Sequence, residues 1–350
     1  VRFGTVPVAD SAGLISAHTV RRADITLRKG AVIAAEAAAG LARAGLSEIV
    51  AATLEPGDVG EDAAAARLAA RLRGPNLRVE APFTGRSNLF AETAGVLTLD
   101  PARIDAVNAV DEAVTVATLP RFRPVVEGEM VATVKIIPYA VAGAVLARAC
   151  AAAEGDVLGV VPYRRRRVAV VSTRLPSLKE TTIDKTLRAL ADRLAPAGAA
   201  IVAETRVPHT AASVAASLAE MIDRAGADLV VVFGASAIAD RRDVIPAGIA
   251  AAGGRVDHLG MPVDPGNLLL VGARGGVPVI GAPGCARSPK ENGFDWILHR
   301  LLADLTVTRA DIVALGVGGL LMEIVSRPQP RAGGAAAADE PDPGAEDRDA

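Results

Sequence analysis

The sequence predicts an α/β protein: a mostly parallel sheet with helices on both faces, preceded by a smaller α+β domain. Three observations carry this. From about residue 168 short Val-rich runs alternate with Ala-rich helical stretches, and near-continuous apolar strands belong to sheets covered on both faces. Before that point short strands and helices mix without a regular rhythm. Finally, Ala, Val and Gly dominate while aromatics are only 3% of residues, which favours compact helices on Val-rich strands and disfavours base-stacking platforms.

With 350 residues, two domains of ordinary size are expected, and the boundaries fall at 1–163, 164–327 and a disordered tail or linker at 328–350. In the first domain, KGAVIAAEAAAGLARAGLSEIVAATL reads as a helix ending near Gly45 and a strand through Ile49 and Val50. GDVGEDAAAARLAARLRG follows as a helix, with Asp58, Glu61 and Asp62 around its start as structural acids and Gly74-Pro75 as its stop. VATVKIIPYAV reads as one strand and AGAVLARACAAA as the closing helix. The run Arg164 to Arg167 marks the junction as a solvated loop.

The second domain then reads strand VAVVS, helix TTIDKTLRALADRLAPAG, strand AAIVAE, helix TAASVAASLAEMIDRAGA, strand DLVVVF, helix DVIPAGIAAAGG and strand RVDHLGM. After VPVIG comes the helix FDWILHRLLADL, and the GVGG at Gly316 to Gly319 is a turn because it lacks the context of a dinucleotide loop. From Pro328 onward Pro, Ala, Gly and acids carry no periodicity.

Acidic and basic residues nearly cancel, 40 against 38, so neither a nucleic-acid stripe nor a membrane-binding face is expected and the partner is a small molecule. Cys150 and Cys285 lie far apart, supporting neither a disulfide framework nor a zinc site, and a reducing cytoplasm is the default. The opening VRFGTVPVADSAG has no basic segment leading into a long apolar run, so neither a signal peptide nor a transmembrane helix is expected. The four histidines show no ligand spacing.

In parallel sheets ligands bind where the strands end, which selects the loops after VAVVS, DLVVVF and VPVIG. After DLVVVF, Gly234, Ala235 and Ser236 are small enough to let a ligand approach the backbone, and Ser236 offers a hydroxyl. Asp240 is either a metal or ligand contact or an ordinary loop carboxylate; Asp243 is equally a helix N-cap, and Asp228 is read as closing a turn. Pro265-Gly266 and Pro283-Gly284 form tight turns. Arg287, Ser288, Lys290 and Asn292 fall near a helix N-terminus, where dipole and donors favour an anion such as phosphate. The rival reading is a solvated helix-entry loop. Cys285 is read as packed, with no histidine beside it in sequence.

These motifs resemble the molybdenum-cofactor biosynthesis domain of molybdopterin molybdotransferases and related molybdopterin-binding proteins. That family has an Asp opening a strand, a Gly-Gly-x-Ser-x-Gly loop followed by Asp, a Pro-Gly-Lys turn and a Leu-Pro-Gly-Asn-Pro loop. The counterparts are Asp228, GASAIAD with Asp243 beyond, PGN at Pro265 to Asn267, and APGC at Ala282 to Cys285, over roughly residues 168 to 304. Departures are Ala235, Ala239, Asn267, Cys285 and STRLPSLKE, which stands where the molybdotransferases have Ser-Thr-Gly-Asp-Glu.

The resemblance implies a molybdopterin site made by Gly234, Ser236, Pro265, Gly266, Asn267, Pro283, Gly284, Arg287, Ser288 and Lys290. It also implies catalytic acids at Asp228, Asp240 and Asp243, with Asp240 and Asp243 as ligands of a Mg²⁺ ion if one is used. As an enzyme, the protein would insert molybdate into molybdopterin with release of AMP, supplying positioning and charge neutralisation. Alternatives are a non-catalytic carrier or sensor, a nucleotide pyrophosphatase of the competence-damage-inducible type, or an assembly domain whose loops bind nothing. A homo-oligomer and a nucleotidyltransferase-like partner domain are further implications.

Overall fold

The computed structural model describes residues 1–321; the tail expected from Pro328 and residues 322–327 lie outside them. In the first part, Arg2–Pro7 and Ile15–Ser16 flank Glu48–Thr53 antiparallel, beside the helix Ala35–Arg43. A second antiparallel sheet runs Val114–Thr118, Met130–Ile136, Arg86–Ala91, Leu77–Val79. The helices Glu61–Leu72 and Gly143–Ala152 share a core with it through Leu68, Leu72, Leu89, Val134 and Leu146. The glycine of the expected helix stop is sterically required, since a Cβ on Gly74 would lie 1.9 Å from the Leu158 carbonyl oxygen. One reading is corrected: VATVKIIPYAV is not a single strand. The ladder ends at Ile136, and Ala140–Ala142 turns to pair with Asp58–Gly60; Pro138, with no N–H to give, lies in the break.

The second part is built on strands β1 (Arg167–Arg174), β2 (Ala200–Pro208), β3 (Leu229–Phe233), β4 (Arg255–Leu259), β5 (Leu270–Arg274) and β6 (Val277–Ala282). Its helices are α1 (Glu180–Leu194), α2 (Ala211–Ala219), α3 (Val244–Ala251) and α4 (Gly293–Leu302). The sheet order is β2-β1-β3-β6-β5-β4, parallel through β6 and antiparallel from β6 to β4. The sequence reading passes over β5; Gly275 and Gly276, at φ 57° and 82°, are the two-residue turn that returns it into β6.

Alternate residues of the central strands face opposite helix layers, as the two-residue period of a strand requires. Val168, Val170, Leu229, Val231 and Phe233 pack with Leu190 and Leu194 of α1 and Phe294, Ile297 and Leu298 of α4. Ala169, Val171, Val230 and Val232 pack with Val214, Leu218, Ile245 and Ile249 of α2 and α3. The junction between the two parts is bonded rather than solvated: Arg164 and Arg165 N–H both donate to the Leu302 carbonyl, and Tyr163 Oη meets His299 Nδ1 at 2.8 Å. Among the described residues no helix is long and apolar enough to cross a membrane.

Candidate functional site

The register aligns Ser172 with Phe233 and Phe233 with Ala282, so β1, β3 and β6 end together and their loops leave from one edge. His209 follows β2 at the same edge, its N–H bonded to the Arg174 carbonyl. The antiparallel hairpin brings the turn before Leu270 there too, because Leu270 pairs with Gly281. Gly234, Ser236, Asp240, Asp243, Pro265, Gly266, Asn267, Pro283, Gly284, Arg287, Ser288 and Lys290 are therefore gathered on loops at this edge.

Asp228 is not among them. It precedes β3, at the far end from Gly234, where its carboxylate accepts the N–H groups of Arg166 (2.8 Å) and Arg167 (3.0 Å). Five strand residues separate the two ends by about 17 Å. This corrects its assignment as a site acid and gives the arginine run a use: Arg165 donates to the Asp228 carbonyl, and Arg167 to the carbonyls of Gly226 and Ala225. Asp243 caps α3, accepting from Val244 N–H at 2.7 Å and from Ala239 N–H at 3.2 Å. Asp240 is exposed and bonded to Arg242 through both backbone and guanidinium, which holds its carboxyl below the usual range.

Arg287 is the most informative residue of the edge. Its guanidinium donates to Thr186 Oγ1 (3.0 Å) and the Gly234 carbonyl (2.9 Å) and lies 5.3 Å from the centroid of Phe233. Burial lowers its pKa from the ordinary guanidinium value, and among the described residues no carboxylate forms an ion pair with it. Only two of five N–H donors are used by side-chain and carbonyl acceptors of the protein. Ser172, 1% exposed and on the same sheet face as Phe233, has a hydroxyl with no partner in the protein.

The loop carrying Arg287 is held from below by Arg193 of α1, whose guanidinium donates to the carbonyls of Ala286 (3.0 Å), Ser288 (2.5 Å) and Lys290 (3.2 Å) and pairs with Asp295. Asn292, 1% exposed, caps α4 through Phe294 N–H and donates to the Cys285 and Lys290 carbonyls. Gly293 N–H is taken by the Pro265 carbonyl at 2.9 Å, and a Cβ on Gly266, at φ 140°, would lie 2.9 Å from that same nitrogen. The expectation of an anion on the α4 N-terminus is therefore corrected. Its donors are satisfied within the protein. Cys285 is half-buried and burial pushes its thiol up, in keeping with a packed residue.

Thr173, Thr186, Arg193 and His209 were not singled out by sequence. Thr173 lies in the STRLPSLKE stretch, and His209 became visible only because β2 runs to Pro208 rather than stopping at Glu204. They matter because Ser236 Oγ meets His209 Nε2 at 3.0 Å, His209 Nδ1 meets Thr173 Oγ1 at 2.8 Å, and Ala235 N–H donates to Thr173 Oγ1 at 2.8 Å. Hollows of about 570 Å³ beside Asp100 and Arg121 and of about 690 Å³ between Lys29, Lys135 and Tyr139 lie in the first part of the chain.

Residues 167–303 match the model of the family described as a probable molybdopterin binding domain, the family that the motifs resemble. No curated protein matches the chain. Solved structures similar to it include the molybdopterin biosynthesis enzyme MoaB of Thermus thermophilus, 18% identical, covering 40% of this chain and 97% of that one at a TM-score of 0.28. Another is the molybdopterin biosynthesis MoeA protein of Pyrococcus horikoshii, 16% identical, covering 87% of this chain and 75% of that one at a TM-score of 0.31.

Proposed function

We propose that residues 167–303 bind molybdopterin, or its adenylylated form, at the edge where β1, β3 and β6 end, with Arg287 receiving the phosphate. The observation that carries this is the half-buried Arg287 guanidinium with neutral partners only. A buried charge is ordinarily paired, and a phosphate supplies the missing partner with short, charge-assisted hydrogen bonds. Ser288 and Lys290 follow on the same loop.

Turnover in such a site is the insertion of molybdate into the dithiolene with release of AMP, the protein contributing position and neutralised charge. Asp240 and Asp243 do not fit a Mg²⁺ site, since one is paired with Arg242 and the other caps α3, and no step is assigned to a metal here. That commitment favours a second reading, a non-catalytic carrier or sensor. The pyrophosphatase alternative needs clustered acids, and among the described residues no group of three or more His, Cys, Asp or Glu gathers to hold a metal.

Titration of the purified protein with molybdopterin tests the binding claim: saturable binding at micromolar ligand is expected, and its absence overturns the reading. Molybdate-dependent release of AMP from adenylylated molybdopterin then separates enzyme from carrier.

A further inference from the structure

We propose that Thr173, His209 and Ser236 form a one-way hydrogen-bond relay that presents the Ser236 hydroxyl proton to an oxyanion of the ligand, with His209 as a positioning residue in its neutral Nε2–H tautomer. The last link rests on the ligand reading above; the tautomer does not.

The direction follows from counting protons. Thr173 is 0% exposed, and its hydroxyl oxygen already accepts from Ala235 N–H at 2.8 Å. Its single proton needs an acceptor, and the one the structure offers is His209 Nδ1 at 2.8 Å. Nδ1 must then be bare and the imidazole proton must sit on Nε2, from which it donates to Ser236 Oγ at 3.0 Å. Ser236 spends an acceptor site on that bond and keeps its own proton, on an exposed loop at the strand ends. The opposite tautomer makes Ser236 the donor and leaves the buried Thr173 proton without an acceptor. A serine–histidine pair invites comparison with a nucleophile and its base, but a base needs a bare Nε2. Here the order is reversed, and the pair donates.

The peptide unit between Gly234 and Ala235 ties the relay to Arg287. Its carbonyl accepts from Arg287 and its N–H starts the relay at Thr173, so donors of both kinds flank one rigid backbone unit. Hydrogen bonds in such a chain polarise one another, which strengthens the final donor. A ligand group that accepts on both sides is an oxyanion such as a phosphate.

The test has a part that needs no ligand. Long-range ¹H–¹⁵N correlation of the histidine rings in the full chain is expected to show a bare Nδ1 and a protonated Nε2 for His209; a proton on Nδ1 overturns the relay. Binding is then measured by calorimetry with molybdopterin and, separately, inorganic phosphate. Ser236→Ala and His209→Phe are expected to weaken molybdopterin binding about tenfold, as for loss of a hydrogen bond to a charged group. His209→Gln, whose amide donates one way and accepts the other, is expected to stay within about threefold of wild type. A Gln variant as weak as Phe, or a Ser236→Ala variant with unchanged affinity, overturns the proposal. If the wild type binds neither probe, the ligand reading fails and takes the last link with it, while the tautomer is decided independently.

Discussion

Arg287 and Gly234 are joined by a 2.9 Å hydrogen bond from guanidinium to carbonyl, which ties the loop after β6 to the loop after β3. Gly234 can make it because it has no side chain: a Cβ there would lie 2.6 Å from the Ser236 carbonyl oxygen and 2.9 Å from Ile245 Cδ1. Gly234→Ala must displace the backbone, at a cost of about 1–3 kcal/mol typical of overpacking. Urea unfolding checks this, and a variant as stable as wild type contradicts the tight approach.

Arg193 organises the other side of the edge. Its side chain is 8% exposed and serves three loop carbonyls and Asp295. Arg193→Ala leaves the Asp295 carboxylate and those carbonyls short of donors, and a loss of about 3–5 kcal/mol is expected, as for a broken buried pair. Guanidinium chloride unfolding measures it. A loss below about 1 kcal/mol means that the loop holds its shape without Arg193.

Cys285 stands where the related motif has Asn, and its thiol is pushed up by burial. The thiolate is the reactive form, so alkylation near pH 7 is expected to be slower than for glutathione and to accelerate at a higher pH than it does for glutathione. A Cys150→Ser background isolates the site, since burial raises Cys150 as well. Peptide mass spectrometry after iodoacetamide reads the rate, and fast labelling at pH 7 contradicts a packed thiol.

His299 is kept neutral by burial, which lowers its pKa, and its Nδ1 bonds Tyr163 across the junction. Below about pH 6.5 the unfolded chain takes up a proton that the buried ring resists. Stability is thus fully present above that pH and falls as the pH drops through it towards the lowered folded value. His258, also lowered by burial, shares this window, so the difference between wild type and His299→Gln isolates one ring. Urea unfolding at pH 7.5 and 5.5 should show the smaller drop in the variant; equal drops contradict a buried neutral His299.

The second part of the fold was legible in sequence because its central strands are apolar on both faces, as in VAVVS and LVVVF, where period and burial agree. The loops after β3 and β6 were legible for a related reason: small residues and donors sit where strands end. What composition and motif spacing could not give is which carboxylate already has a partner. Asp228, Asp240 and Asp243 look alike in the chain, yet one is spent on the arginine run, one on Arg242 and one on a helix cap. His209 was hidden because its partners, Thr173 and Ser236, are 36 and 27 residues away and meet only across adjacent strand ends.

The most direct measurement of the central claim is the molybdopterin dissociation constant of wild type beside that of Arg287→Ala. The substitution removes bonds to Thr186 and Gly234 but also an unneutralised buried charge, so the melting temperature should change little. Affinity is expected to fall tenfold or more, by about 1.5–3 kcal/mol for a charge-assisted contact. Unchanged affinity in a folded variant would contradict Arg287 as the phosphate receptor, and an Arg287→Ala protein that unfolds would show that the guanidinium is there to hold the loops.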